Sequence, residues 1–232
     1  MTEASAFTVH DLYAYYGALT AVDGVTVEVS QGERVGIFGH NGSGKSTLLK
    51  CLVGAIDDVE GKVSFRNNPI QPGRPHLNVV YGIGMVPQTR NVFASLSVEQ
   101  CLIIAGISRG GAEISSAFGL FPILRERRSQ RAGSMSGGEQ QMLAVAMDLM
   151  TDPKAIMLDE PTACLSPVMA EAVLAAIESI NKCHGTTVVI VEQNVIAALD
   201  LVERAIVMRS GQVVYDGPSA ELGSKEDLWD WF

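Results

Sequence analysis

The stretch Gly39-His40-Asn41-Gly42-Ser43-Gly44-Lys45-Ser46-Thr47 decides the fold, because its G-x-x-x-x-G-K-[ST] spacing is typical of a phosphate-binding loop. It follows the apolar run Arg34-Val35-Gly36-Ile37-Phe38, which predicts a buried strand, and we expect a helix to begin near Gly44. Glycines admit backbone conformations closed to other residues, so successive N–H groups can turn inward on an anion. The free N–H groups at a helix start add to that attraction. Residues 39–47 therefore predict a nucleotide-phosphate site.

Two side chains of this loop have distinct predicted roles. Lys45 is expected to reach the β- and γ-phosphates, and the Ser46 hydroxyl is expected to ligate Mg²⁺. The alternative is a glycine-rich turn before a helix, with no ligand. A chance match to the pattern is expected in about one chain in a hundred of this length. The rarity of the pattern, together with the strand before it, therefore favours nucleotide binding over a turn without a ligand.

Length and charge narrow the class of protein. The 232 residues suffice for one α/β domain with a sizeable core. A net charge of −9 argues against a general nucleic-acid binder, which needs a basic face. The N-terminus lacks the basic start and apolar block of a signal peptide, and no apolar run is long enough to span a bilayer. We expect a cytoplasmic protein that reaches a membrane only through a partner.

The cysteines and histidines show no metal-ligand spacing. The four cysteines are Cys51, Cys101, Cys164 and Cys183. They lie far apart without a C-x-x-C pair, and Cys51, Cys101 and Cys183 fall in apolar or helical stretches. We expect these three to be reduced packing residues.

Recurring apolar runs predict an α/β fold with a mostly parallel central sheet. The runs are Val35–Phe38, Ile83–Val86, Ala155–Leu158, Val188–Val191 and Ala205–Met208. Helical stretches between several of them predict helices packed on the sheet. Residues 7–30 alternate apolar and polar side chains, which predicts an antiparallel β part near the N-terminus.

The segment between Pro87 and Gly133 is helical in pattern. Ser97-Val98-Glu99-Gln100 forms a capping box, and a second helical stretch covers Glu113–Arg128. We interpret about residues 88–135 as a helical insert within a single domain that spans residues 1–232. Pro69–Pro75 is expected to be a surface loop. No internal repeat is present, so one chain offers one nucleotide site.

A second chemical signal is Ala155-Ile156-Met157-Leu158-Asp159-Glu160. An apolar strand that ends in Asp–Glu places Asp159 at the carboxyl edge of the sheet, where it can hold Mg²⁺ directly or through water. Glu160 would then face the γ-phosphate and polarise the attacking water. Many strands end in a carboxylate, so the Asp–Glu pair is a weak signal by itself. It is a strong signal here because it follows a phosphate-binding loop in the same chain.

A third signal is Ser136-Gly137-Gly138-Glu139-Gln140-Gln141. Ser136 and Glu139 form a capping box that begins a helix running to about Met150. Two glycines in the first turn cost helix stability, which a docked phosphate would explain. The hexapeptide resembles the signature sequence of ATP-binding cassette (ABC) ATPases. The resemblance implies that Ser136, Gly137, Gly138 and Glu139 contact the γ-phosphate of ATP held by an opposite subunit.

The resemblance covers almost the whole chain and assigns further residues. It implies that Tyr16, before Gly17, stacks on adenine, with a core tyrosine at a strand edge as the alternative. It also implies that Gln88 links the metal site to the helical insert. Gln193 occupies the position of a switch histidine; it can hydrogen-bond a phosphate but cannot carry a proton.

Within the family, the chain is similar to the ATPase subunits of branched-chain amino-acid uptake systems. The similarity lies in Phe121-Pro122, Glu126-Arg127-Arg128, Gln130–Gly133, Met135–Ala144 and Val191-Glu192-Gln193-Asn194. It implies an ATPase, in a homo- or heterodimer, that powers import through transmembrane permease subunits and lies at the inner face of the membrane. In such systems the permease and a binding protein select the solute. Urea and amides therefore remain alternatives to hydrophobic amino acids as the transported solute.

Two further departures and one cluster leave alternatives open. Ser166 replaces the usual aspartate of the loop after Glu160 and can instead cap a helix that starts at Pro167. Met147 stands where the family usually has arginine, and Met147 and Gln193 together leave a regulatory subunit with low turnover as one alternative. An ABC ATPase outside transport and a small-molecule kinase are others, although a kinase has no use for the signature. The basic cluster is either a solvated face or a partner contact; it comprises Arg125, Arg127, Arg128 and Arg131.

Overall fold

The structure, a computed structural model, describes residues 4–89, 91–107, 110, 113–163, 165–193 and 195–223. Three features used in the sequence analysis lie outside the described residues, namely the chain start at Met1–Glu3, Cys164 and Asn194.

The central sheet has six strands in the order β10-β9-β3-β8-β7-β6. Its strands are β3 (Arg34–Phe38), β6 (Ile83–Val86), β7 (Ala155–Asp159), β8 (Thr187–Val191), β9 (Arg204–Arg209) and β10 (Gln212–Pro218). All neighbours from β6 to β9 are parallel, and β10 pairs antiparallel with β9. Each of the five apolar runs forms a strand of this sheet. The predicted α/β fold with a mostly parallel sheet is confirmed.

A second sheet of four antiparallel strands has the order β2-β1-β4-β5. The strands are β1 (Ser5–Tyr16), β2 (Leu19–Ser30), β4 (Val59–Phe65) and β5 (Asn68–Pro69). The alternating segment therefore forms a hairpin, and its valines on β2 are buried as the pattern predicts. The surface loop expected at Pro69–Pro75 is only partly right, because Pro69 pairs with Ser64 and Ile70 is buried.

Nine α-helices complete the described part of the chain. They are α1 (Lys45–Val53), α2 (Pro75–Asn78), α3 (Val98–Gly106), α4 (Ser115–Leu120), α5 (Pro122–Glu126), α6 (Gly137–Leu149), α7 (Pro167–His184), α8 (Val195–Leu199) and α9 (Ser219–Gly223). Both predicted capping boxes are present, at Ser97 and at Ser136. The single helical stretch expected over 113–128 is wrong. It breaks at Phe121 because Pro122 disfavours helical backbone in the residue before it.

Helix α1 is buried between the two sheets. Leu48, Leu49 and Leu52 belong to one apolar cluster with strand residues of both sheets, so the start of α1 is held firmly. A second cluster packs α3, α6 and α7 on the other face of the central sheet. None of the helices in the described ranges combines the length and the apolar character needed to cross a bilayer.

The cysteine prediction is right for two of the three residues described. Cys51 and Cys101 are buried free thiols, and burial raises the pKa of Cys51 to about 12. Cys183 is exposed near the end of α7, so its assignment as a packing residue is wrong. Its helix is amphipathic, and position 183 lies on the solvent side.

Candidate nucleotide-binding site

The loop between β3 and α1 has the backbone that the glycine pattern requires. Gly42 and Gly44 have φ angles of 80° and 103°, in the region that favours glycine. At Gly44 a side chain would also collide with the carbonyl oxygen of Ala21 on β2. Gly44 caps α1 without any side-chain hydrogen bond, so the first N–H groups of the helix have no side-chain acceptor there. This helix start can accept an anion.

Lys45 lies in the first turn of α1 and is only 4% exposed. Its Nζ donates to the carbonyl oxygens of Gly39, at 2.7 Å, and His40, at 2.9 Å. Burial lowers the pKa of Lys45, while the charges of Glu160 and Asp159 raise it. The ammonium group is therefore held inside the loop by two weak acceptors that a phosphate could replace.

Ser46 and Asp159 are joined across 113 positions of sequence. Ser46 Oγ donates to Asp159 Oδ1 at 2.8 Å. Asp159 is the last residue of β7 and is buried, and Ser46 is in the first turn of α1. The edge of the sheet thus brings a hydroxyl and a carboxylate oxygen together next to the phosphate-binding loop.

Glu160 is clamped by the two glutamines that the sequence analysis singled out. Gln88 Nε2 donates to Glu160 Oε2 at 2.6 Å, and Gln193 Nε2 donates to Glu160 Oε1 at 2.7 Å. Gln88 follows β6 and Gln193 follows β8, and these strands flank β7 on either side. The carboxyl ends of parallel strands meet at one edge, which explains how the three side chains converge.

Tyr16 lies at the end of β1, where it pairs with Leu19 across the hairpin. It is 48% exposed, so the alternative of a core tyrosine is wrong. Further along β2, the Ala21 carbonyl lies against Gly44, so the hairpin borders the start of α1. The structure leaves the Tyr16 ring available to an external base.

At the start of α6, the Ser136–Glu139 capping box is fully formed. Glu139 Oε2 accepts hydrogen bonds from Ser136 N and Ser136 Oγ, both at 2.9 Å, and Glu139 N donates back to Ser136 Oγ at 3.4 Å. A side chain at Gly138 would meet the flexible end of the Met169 side chain, which can shift, so packing favours this glycine only weakly. A side chain at Gly137 would meet no atom of the described part of the chain within 4 Å. Only Gly137 is left without a packing reason.

Lys45 and Ser46 at one helix start and Ser136 and Glu139 at the other share no side-chain hydrogen-bond partner in the described part of the chain. Lys45 and Ser46 bond to Gly39, His40 and Asp159, whereas Ser136 and Glu139 bond to each other and Glu139 pairs with Arg127. A cavity of about 290 Å³, lined by Gln88, Gly137 and Gln141 among others, separates the Gln88 loop from α6. Asn91 bridges it by donating from Nδ2 to Gln141 Oε1 at 2.5 Å.

Sequence reasoning missed several contacts around the site. Thr162 donates from both N and Oγ1 to Glu192 Oε1, at 2.9 and 2.7 Å, and so joins the loops after β7 and β8. Burial, with the charge of Glu160, raises the pKa of Glu192 although the Thr162 hydrogen bonds oppose this. No local pattern identified this pair. Asp148 on α6 is half-buried with its Oδ2 shielded from solvent, and desolvation of this carboxyl group raises its pKa to about 7. An acid within the apolar run 143–150 was the available signal.

The departures from the family pattern have structural explanations of their own. Met147 packs against the core cluster that contains α6, so an apolar contact replaces the usual arginine. Ser166 caps α7 by accepting from Met169 N at 3.4 Å, as the helix-start interpretation predicts.

Comparison with known proteins assigns the family. The sequence profile described as ABC transporter matches residues 22–163. The chain is 40% identical over 213 residues to the high-affinity branched-chain amino acid transport ATP-binding protein BraG of Pseudomonas aeruginosa, covering 90% of this chain and 91% of that protein. It is 39% identical over 215 residues to a probable branched-chain amino acid transport ATP-binding protein, LivF, of Archaeoglobus fulgidus, covering 91% of each.

Solved structures agree with this assignment. The crystal structure of a nucleotide-free ATP-binding cassette from an ABC transporter superposes with a TM-score of 0.84 at 26% identity, over 98% of both chains. The chain belongs to the ABC transporter family. Within that family it is an ATP-binding cassette ATPase, as the phosphate loop and the signature predicted.

Proposed function

We propose that this chain hydrolyses ATP to power import of a solute through transmembrane permease subunits, with branched-chain or other hydrophobic amino acids as the solute. The observation that carries the mechanism is the clamp on Glu160 by Gln88 and Gln193, beside Lys45 and the Ser46–Asp159 pair. The names of the two transport relatives support the solute.

ATP binding begins at the loop 39–47. The N–H groups at the start of α1 face the phosphates, and Lys45 exchanges the carbonyls of Gly39 and His40 for oxygens of the β- and γ-phosphates. Because Lys45 is buried, its charge acts with little screening by water. Tyr16 stacks on the adenine from the hairpin.

Ser46 and Asp159, with the amide oxygen of Gln88, would hold Mg²⁺. Hydroxyl and carboxylate oxygens are the hard donors that this ion prefers, so the residues fit it. Bound Mg²⁺ supplies positive charge to the phosphoryl oxygens during transfer.

Glu160 is the general base of the proposed reaction. Water attacks the γ-phosphorus, its proton passes to the Glu160 carboxylate, and the bond to the bridging oxygen breaks to leave ADP and phosphate. Gln88 and Gln193 fix the orientation of that carboxylate. Since Gln193 cannot accept a proton as a histidine can, the basic function rests on Glu160.

The start of α6 completes the site of a second ATPase subunit, so the working unit is a homo- or heterodimer. Ser136, Gly137, Gly138 and Glu139 meet the γ-phosphate of the partner's ATP, and the open space around Gly137 supports this. Residues 88–135 act as the insert that transmits closure to the permease at the inner face of the membrane. No nucleic-acid substrate is part of this proposal.

A dimerisation experiment tests the mechanism. Glu160→Gln keeps the size of the side chain and removes its basicity, so hydrolysis should fall by about 10²–10⁴-fold while ATP still binds. ATP and Mg²⁺ should then trap a dimer that is visible in size-exclusion chromatography, because ligand bound only by the closed state favours it. Adding Ser136→Arg should abolish the dimer and leave binding of ATP to the monomer intact.

Two results would contradict the proposal. One is a Glu160→Gln protein that hydrolyses ATP at the wild-type rate. The other is a protein that remains monomeric at high concentration with ATP, both alone and with its permease. The solute is tested separately, by uptake of leucine against urea into vesicles that contain the co-purified permease.

A further inference from the structure

Arg127 makes an ion pair with the signature helix that neither sequence interpretation of the basic cluster anticipated. It follows α5 directly, and its Nε lies 2.6 Å from Glu139 Oε1. The Glu139 side chain is 12% exposed and that of Arg127 is 42% exposed. Since Ser136 already occupies Glu139 Oε2, both oxygens of this carboxylate are engaged.

The position of Glu139 raises an electrostatic problem. Its carboxylate lies in the first turn of α6, where a helix start attracts an anion. A resident negative charge there opposes the approach of a phosphate. Ser136 Oγ, moreover, donates its proton to Glu139 and must turn away before it can donate to a phosphate. Glu139 then loses one hydrogen bond as the second anion arrives.

We propose that Arg127 is a positioning residue for the partner subunit's ATP: it neutralises Glu139 and holds its Oε1, so that Ser136 can turn toward the γ-phosphate. This inference rests on the proposed sandwich dimer. The Arg127 side chain touches no reacting atom in it. Its effect depends on the negative charge of Glu139, which a purely structural role would not require.

The same contact ties the phosphate site to the insert. Arg127 Nη1 donates to Gln130 Oε1 at 3.1 Å, and Gln130 Nε2 donates to the Ser134 carbonyl at 3.2 Å. The backbone of this segment accepts hydrogen bonds from the start of α3, through Val98 N to Gln130 O and Glu99 N to Arg128 O, both at 3.0 Å. The segment that carries Arg127 is therefore hydrogen-bonded both to α3 and to Ser134, just before the start of α6.

A double-mutant cycle between Arg127 and Glu139 tests the inference. In the Glu160→Gln background with ATP and Mg²⁺, Arg127→Ala should raise the dimer dissociation constant at least fivefold, and Arg127→Lys should restore part of it. Binding of ATP to the monomer should not change. In a Glu139→Gln background the same Arg127→Ala change should alter dimerisation less than twofold, because no carboxylate then needs a counter-charge. Arg128→Ala is the matched control, since it removes the same charge from the neighbouring position.

An equal loss in both backgrounds would overturn the inference and assign Arg127 a structural role. A Glu160→Gln parent that never dimerises would instead overturn the sandwich mechanism. Arg127 is then judged from steady-state ATPase kinetics of the four proteins with Glu160 intact. An Arg127→Ala increase in the KM for ATP that disappears with Glu139→Gln supports charge neutralisation, and an increase that persists, or no increase at all, rejects it.

Discussion

The starts of α1 and α6 are both glycine-rich helix N-termini, and they differ in what already occupies them. At α1 the cap is Gly44, which offers no side-chain hydrogen bond to the first N–H groups, and a buried cation, Lys45, lies in the first turn. At α6 the cap is Ser136, the capping box is closed, and an acid, Glu139, lies in the first turn. One helix start thus carries a resident cation, and the other a resident anion with a counter-ion from outside the helix.

The difference indicates that the start of α1 is a complete phosphate site, whereas the start of α6 is only half of one. The α1 start has unmatched donors and a positive charge, so it attracts phosphate without help. At the α6 start, Ser136 Oγ and Glu139 N are already engaged in the capping box, so Ser136 must rearrange before it can bind a phosphate. The α6 start therefore adds to a phosphate that is already held elsewhere.

Lys45→Ala should produce the largest effect. Charge-assisted hydrogen bonds to two phosphates are worth about 3–6 kcal/mol together, so ATP affinity should fall by at least about a hundredfold. Calorimetry with ATP and Mg²⁺ measures this. Ser136→Arg is the control at the other helix start and should leave binding to the monomer unchanged. An equal loss of ATP affinity in the two variants would contradict the assignment of α1 as the complete site and α6 as the half-site.

Asp148→Asn tests a carboxyl group on α6 that is half-buried, with its Oδ2 shielded from solvent. Burial raises the pKa of Asp148 to about 7, although a hydrogen bond from Met85 N lowers it, and Gly84 packs against the carboxyl group. Between about pH 4 and 7 the folded state binds a proton that the unfolded state releases, so the free energy of unfolding falls as pH rises through this range. The variant should therefore gain stability over the wild type as pH rises.

The expected gain is near zero at pH 4 and about 2–4 kcal/mol at pH 8, since one pKa unit corresponds to about 1.4 kcal/mol. Urea unfolding at several pH values measures it, with the exposed Asp200→Asn as control. A difference that is constant across pH would contradict the buried-charge account. Lys45, the buried charge of α1, should matter for ligand binding, whereas Asp148 should matter only for stability.

Tyr16→Ala tests whether the hairpin belongs to the α1 site. Loss of base stacking should weaken ATP binding by about 1–3 kcal/mol. Dimerisation of nucleotide-saturated Glu160→Gln protein should not change. Leu19→Ala, at the paired and exposed position, removes apolar area without a ring and should cost less. An unchanged affinity in Tyr16→Ala would remove the hairpin from the site.

Gly137→Ala and Gly138→Ala should give the smallest effects and separate packing from docking. An added methyl at Gly138 displaces the end of Met169, which should cost about 1 kcal/mol of unfolding free energy. At Gly137 it meets no atom of the described residues within 4 Å, so stability should hold or rise slightly while ATP-dependent dimerisation weakens. Thermal unfolding and sedimentation measure the two properties. A Gly137→Ala protein that is clearly destabilised would contradict the open helix start.

Local patterns predicted those parts of the fold that depend on neighbouring residues. The apolar runs gave the strands, the capping boxes gave the starts of α3 and α6, and the glycine spacing gave the loop before α1. The continuous helix over 113–128 was wrong although the local signal, Pro122, was present. Cys183 was misassigned because an apolar neighbourhood does not say which side of an amphipathic helix faces the solvent.

The sequence by itself determined the phosphate loop, the strand that ends in Asp159, and the capped start of α6, because each is encoded by backbone preferences within a few residues. The tertiary structure decided which side chains meet. Glu160 lies 72 positions from Gln88 and 33 from Gln193, and only the strand order brings their side chains into one clamp. The Arg127–Glu139 pair likewise depends on how the insert folds back on α6, since ion pairs across loops leave no periodic signal in a sequence.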